Sequence, residues 1–202
     1  MKAVLISIQP KWVEKIANGE KTIEVRKTAP KCEVPFKCYI YATKKARLQT
    51  IFKKGEWIFS DDHSFGKFDE NIFVKDSLCA WQGKIIGEFV CDWITKITPN
   101  CDIDGCVNQY THGYPAILGD NDCLSFNDMK AYLGNKKGYD WHISDLKIYD
   151  KPKELSEFYT KKTCNSCKKS GHESTACMYD EDCKVPMPIT RAPQSWQYVE
   201  EI

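Results

Sequence analysis

Three charged side chains, Lys21, Glu24 and Arg26, stand within the short run Gly19 to Lys27, which reads Gly-Glu-Lys-Thr-Ile-Glu-Val-Arg-Lys. An ammonium and a guanidinium can hold a phosphate or another anionic edge, the guanidinium bidentately. The carboxylate between them can accept hydrogen bonds from a base edge or act as a general base. Set between two cations, it stays ionised, which weakens it in proton transfer and favours binding over catalysis. Thr22 adds a hydroxyl on the same strand face as Glu24 and Arg26. The plainer reading of the same residues is a solvated ion network of Glu24 and Arg26.

A second set of chemically capable residues lies far downstream. Cys164, Cys167, His172 and Cys177 form a C-x2-C-x4-H-x4-C pattern. Three thiolates and an imidazole suit tetrahedral Zn²⁺, and the two-residue gap lets one tight turn present both sulfurs. Gly171 precedes the histidine, and Lys161, Lys162, Lys168 and Lys169 add positive charge, so the pattern resembles a zinc knuckle. Cys183 is the rival fourth ligand. Asn165 and Ser166 stand where a knuckle carries stacking aromatics, so the zinc would be a structural staple. Free thiols are the alternative.

The elements that must position these groups read as follows. Lys2 to Gln9 is a buried strand, and Pro10 opens a helix whose Trp12, Val13 and Ile16 share a face. Gly19 after Asn18 ends that helix. From Lys21 to Lys27 the chain alternates, with Ile23 and Val25 on one side and Thr22, Glu24 and Arg26 on the other. Strict alternation puts Lys21 opposite Glu24 unless the helix–strand junction twists it inward. Phe36 to Thr43 is a strand, and 44–82 reads as a Lys-rich helix followed by a long loop. Lys84 to Thr98 is one long strand bent at Gly87 or Asp92. Residues 99–122 read as a surface excursion. Ser125 caps a helix that runs through Leu133 to Gly134. Trp141 to Tyr149 is a strand broken at Lys151-Pro152, and Trp196 to Val199 is a last strand that returns to the core.

Around the charged strand, Tyr39, Tyr41, Trp81, Trp93, Trp141 and Trp196 are candidates for a base-stacking wall, with Trp196 the foremost. A stacked base is worth roughly 1–3 kcal/mol. His142 reads as a structural histidine. His63 and His112 fall in loops without a nameable partner.

The chain has 202 residues, 42% hydrophobic and 28% charged, as in an ordinary globular protein. No apolar run approaches the roughly 20 residues of a membrane helix, and the N-terminal stretch is too short and strand-like for a signal peptide. A soluble, cytoplasmic protein is expected. Net charge is +1, yet residues 1–55 hold 13 Lys/Arg against 4 Asp/Glu, a balance that can create an electropositive face. Of the 11 cysteines, Cys38 and Cys91 lie in strand-like segments as buried small hydrophobes. The polar cluster after residue 160 argues for metal before disulfides.

The string Gly-x-Lys-Thr-x-Glu-x-Arg at 19–26 resembles the ASCH domain, a branch of the PUA-like superfamily. Ser7-Ile8-Gln9-Pro10, Ile16, Gly87-Glu88-Phe89 and Trp141-His142-Ile143 are similar as well. The ending Ala192-Pro193-Gln194-Ser195-Trp196 resembles versions in bacterial and prophage proteins. The resemblance covers 1–158 and the last fifteen or so residues. It implies a small mixed-sheet pseudo-barrel whose cleft, lined by that string, binds RNA or modified nucleosides. One bacterial branch hydrolyses the amide of 4-acetylcytidine with a lysine, a threonine nucleophile and a glutamate. Lys21 matches the lysine, but Glu24 stands where that branch has its threonine. Other relatives are reported as ribonucleases.

The expectation is therefore an α+β, PUA-like pseudo-barrel with flanking helices and a metal-stapled insertion. It divides into a barrel at 1–158, a zinc-binding insertion at 159–185 and a returning strand at 186–202. Its ligand, RNA or a modified nucleoside, would be held by Lys21, Thr22, Glu24, Arg26 and Trp196. Hydrolysis of an acylated nucleoside or of single-stranded RNA, with Lys21 and Glu24 catalytic, is the alternative. A protein-interaction module is the third reading.

Overall fold

The computed structural model describes residues 2–44, 51–53, 56–61, 64–67, 82–113, 121–163 and 184–200. Strand β1 (Lys2–Ile8) is apolar on both faces and therefore takes a central position. It pairs in parallel with β3 (Phe36–Ala42) and antiparallel with β14 (Trp196–Glu200). With β7 (Ile85–Cys91), β11 (Ser144–Lys153), β12 (Tyr159–Thr163) and β13 (Lys184–Pro188), these strands form one mixed sheet in the order β11-β7-β3-β1-β14-β12-β13.

Alternation along β1 feeds two cores. Val4, Ile6 and Ile8 join Cys38, Ile40, Phe89 and Trp141 on one face, while Ala3 and Leu5 join Tyr39, Tyr41, Ile85 and Phe158 on the other. Each fully buried Leu or Ile contributes about 1.5–3 kcal/mol. A second sheet runs β2-β10-β8-β9, with β2 at Ile23–Arg26, β8 at Ile94–Cys101, β9 at Val107–His112 and β10 at Gly138–His142. Helix α1 (Pro10–Ala17) packs Val13 and Ile16 into the first core. Helix α2 (Phe126–Leu133) packs Met129 and Leu133 with Val25, Ile97 and Tyr110. The fold is α+β.

Both helix ends follow from local chemistry. Ser125 accepts from the Asp128 amide and Asp128 reciprocates, a capping box at the start of α2. Asn18 closes α1, and Gly19 follows with φ of 75°, where a side chain would be strained.

Several segments depart from the sequence reading. Within 44–82, read as a helix and then a loop, the residues described between 51 and 67 are strands. Ile51–Lys53, Glu56–Asp61 and Ser64–Lys67, designated β4, β5 and β6, form a three-stranded antiparallel sheet. The aromatic and β-branched run Trp57-Ile58-Phe59 explains this, a signal that the surrounding lysines mask. The long run from Lys84 is two strands, separated at Asp92-Trp93. The supposed excursion after Pro99 is the β8–β9 hairpin. Its turn is set by Asp102, whose Oδ1 accepts from the amides of Asp104 and Cys106, and by Gly105 with φ of 76°. Trp141 to Tyr149 spans parts of two strands, and β11 passes through Lys151-Pro152. Proline is tolerated there because β11 is an edge strand.

Strands β12 and β13 pair with one another and β12 meets β14, so both stems of the expected insertion join the main sheet. Cys164, Cys167, His172, Cys177 and Cys183 lie outside the described residues, as do Trp81 and His63.

Candidate functional site

The turn after α1 decides where Lys21 points. Amides of Glu20 and Lys21 both donate to the Lys15 carbonyl, at 2.9 and 3.0 Å, and this coil precedes β2. Lys21 thus lies outside the alternating strand and turns inward, to the side of Glu24. Its Nζ sits 3.6 Å from Glu24 Oε2 and donates to the Asp122 carbonyl at 2.5 Å. Arg26 Nη2 lies 2.9 Å from Glu24 Oε1 and donates to the Ser7 carbonyl at 2.7 Å. Its Nη1 reaches Ser195 Oγ at 3.5 Å. Side-chain exposures of Lys21, Glu24 and Arg26 are 2%, 7% and 8%, so this is a buried network and not a solvated one.

These three residues line a cavity of about 830 Å³, a volume suited to a small-molecule ligand. Strand β2 forms one wall. Lys11 and Trp12 of α1 and Asp128, Ala131 and Tyr132 of α2 form two more, and Gln194 and Ser195 close another. Four lining cations (Lys11, Lys21, Arg26, Lys27) face two lining carboxylates (Glu24, Asp128), so the site favours an anionic ligand. Glu24 Oε2 and Arg26 Nε are buried without a hydrogen-bond partner. Leaving such groups unmatched costs about 1–3 kcal/mol each, which a ligand with a donor and an acceptor would recover.

Trp12 and Tyr132 are the large aromatics of the lining, and neither was a sequence candidate for stacking. Lys11 Nζ and Lys21 Nζ lie 4.4 and 5.4 Å from the Trp12 ring centre, and Lys27 Nζ lies 4.9 Å from that of Tyr132. Burial pushes the Tyr132 hydroxyl above its ordinary value, against the pull of nearby Arg26. The available signal for Tyr132 was its place beside, and not within, the Met129/Leu133 face of α2.

Thr22 and Trp196 are placed differently. Thr22 Oγ1 accepts from the Asn121 amide at 2.9 Å, and the Thr22 and Ile23 amides donate to the Asn121 carbonyl. Thr22 thereby ties the segment that carries Asp122 to the charged strand. Trp196 packs on Trp141 and Tyr198, and its Nε1 donates at 3.0 Å to Thr28, a lining residue. Tyr39 and Tyr41 are core, as is Trp141. Trp93 stacks on His142 at 4.8 Å, and His142 Nδ1 lies 2.6 Å from Asp92 Oδ1, a satisfied structural histidine. Cys38 and Cys91 are fully buried, and burial raises Cys91 to about 12, so neither is a nucleophile near neutral pH.

His112 is not in a loop. It ends β9, with Nδ1 2.7 Å from Asp140 Oδ2 on β10, and this contact with Asp140 is the chief cause that raises its pKa. Asp122 stands beside the pair: a ligand-type atom from each of His112, Asp122 and Asp140 lies within 4.8 Å of the others.

The family model of the ASCH domain matches residues 6–112. No curated protein matches the chain. Among solved structures, the chain is similar to ASCH from Zymomonas mobilis, at 15% identity over 98% of this chain and 88% of that one, with a TM-score of 0.49. Two single-residue variants of that protein match comparably. One gives 15% identity over 100% and 92% of the chains (TM-score 0.49), the other 14% over 98% and 89% (TM-score 0.48).

Proposed function

The chain belongs to the ASCH domain family, and from that premise we propose that its cleft binds RNA or a modified nucleoside. One observation carries the reading: a buried carboxylate between two cations that lines a cavity, with Glu24 Oε2 and Arg26 Nε unmatched. Glu24 would accept from a donor on the base edge. Lys21 and Arg26 would face phosphate or an anionic substituent, and Trp12 and Tyr132 would stack the base. Thr22 and Trp196 act by holding the walls: Thr22 anchors Asn121, and Trp196 holds Thr28. Binding fits better than proton transfer, because Lys21 is already engaged with Glu24 and with the Asp122 carbonyl.

The Cys164, Cys167, His172 and Cys177 spacing supports a structural zinc in the same chain, with Cys183 as rival ligand. Loss of about one zinc per chain in Cys164→Ser, by elemental analysis, tests it. No helix among the described residues is long and apolar enough to cross a membrane.

The deciding experiment titrates single-stranded RNA and free modified nucleosides at several salt concentrations. RNA binding that weakens steeply with salt, and that is reduced in Glu24→Gln and Lys21→Ala, is expected. A flat salt response with no nucleoside binding would replace it with a protein partner. Turnover of acetylated cytidine or cleavage of RNA, abolished by Lys21→Ala, would replace it with hydrolysis.

A further inference from the structure

Pairing of β8, β9 and β10 assembles a donor set that no stretch of sequence contains. Asp140 on β10 pairs with Thr95 on β8, and His112 on β9 pairs with Ile97 on β8. This register sets the His112 ring against the Asp140 carboxylate. Asp122 arrives from the segment before α2, which Thr22 anchors through Asn121. One imidazole and two carboxylates result, with a ligand atom from each inside 4.8 Å.

Asp140 shows that the set is incomplete. It is 3% exposed, yet its Oδ1 has no hydrogen-bond partner. Its Oδ2 takes His112 Nδ1 at 2.7 Å and a long contact of 3.5 Å from Thr95 Oγ1. A buried carboxylate that leaves an oxygen unmatched is costly unless a cation meets it. His112 is 40% exposed on its side chain, so the cluster is dry at Asp140 and open at His112. An ion could enter from the His112 side and keep a water there.

We propose that His112, Asp122 and Asp140 form a divalent-metal site of the zinc class, with one imidazole and two carboxylate ligands and an open position. Nitrogen and oxygen donors of this kind suit Zn²⁺ and its neighbours, and three protein ligands leave a position for water. Ligand atoms around a tetrahedral ion stand about 3.4 Å apart, so an ion that replaces the shared proton spreads His112 Nδ1 and Asp140 Oδ2 from 2.7 Å and draws in the more distant ligand atom, which lies within 4.8 Å. The site is separate from the cysteine segment and contains no thiolate. It touches the cleft through one residue: the carbonyl of Asp122 holds Lys21 Nζ, and its Oδ1 accepts from the Leu124 amide.

Co²⁺ and Zn²⁺ titrations of the full chain test the proposal, compared with His112→Ala, Asp122→Asn and Asp140→Asn. The wild-type chain is expected to take up a Co²⁺ equivalent that adds visible bands without thiolate charge transfer in the near-ultraviolet. That equivalent should weaken by about a hundredfold or more when one ligand is removed. Zn²⁺ should also shift the ring resonances of His112. Because Asp140 is buried and its variant risks misfolding, the decision rests on His112→Ala and Asp122→Asn, checked for native circular dichroism. Equal metal uptake by both variants and wild type, with unmoved His112 resonances, would overturn the site and leave a His–Asp ion pair only. Nucleic-acid binding is not part of the readout, so failure here leaves the cleft untouched.

Discussion

Two ionic clusters lie on either side of one short segment, and they were built by opposite means. Lys21, Glu24 and Arg26 come from a single run of chain, and all three are nearly dry. His112, Asp122 and Asp140 come from two strands and a connection, and only Asp140 is fully buried. The first is written locally and needs only a helix end and a short strand. The second exists only once three strands have found their register. Asp122 joins them, giving its carbonyl to Lys21 and its carboxylate to the other group.

The largest expected effect separates the two on stability. Glu24→Ala leaves two buried cations without their carboxylate and should cost about 3–5 kcal/mol, read from urea midpoints. His112→Ala takes the half-exposed partner from the buried Asp140 carboxylate but opens it to water from that side, and in metal-free buffer it should cost about 1–3 kcal/mol. Similar losses in both would erase the distinction between a dry and an open cluster.

Next in size is ligand stacking. Trp12→Ala and Tyr132→Ala should each weaken nucleoside binding by roughly 1–3 kcal/mol, measured by calorimetry. Trp196→Ala should change stability more than affinity, since that ring packs on Trp141 and Tyr198. Lys21→Ala should lower the slope of RNA affinity against salt by about one ion.

The smallest effect concerns the helical wall of the cleft. Ser125→Ala removes the cap of α2 and should cost about 1 kcal/mol near neutral pH. The hydrogen bond from Ser125 holds Asp128 below its ordinary value. That contribution is complete above about pH 4 and fades as pH falls through the depressed value. Thermal melts of Asp128→Asn and wild type should therefore converge in acid and diverge above it.

Legibility in the sequence followed the same division. Strand β1, both helices with their caps and the charged strand rest on neighbours in sequence, and each was readable. Lys21's inward turn depends on the coil at Gly19, which strict alternation cannot express. His112 looked solitary because its partner is set by β8–β10 and β8–β9 registers and not by proximity. The β8–β9 hairpin hid behind Asp102 and Gly105, residues that mark a loop and here make a tight turn. Pro152 read as a strand breaker because its edge position is a property of the sheet. Trp12 read as core because it shares a helical face with Val13 and Ile16, though its ring also walls the cavity.

Arg26 bonds the Ser7 carbonyl and reaches the Ser195 hydroxyl, and Ser7 in turn donates to the Pro193 carbonyl. The first strand and Arg26 are thus made on the ribosome long before the Pro193–Ser195 stretch that completes their bonding. A nascent chain stalled short of residue 193 would carry the guanidinium and its carboxylate beside an unfinished wall. Binding competence would then arrive late and all at once, as the closing strand docks, so truncated translation products should be blind to the ligand.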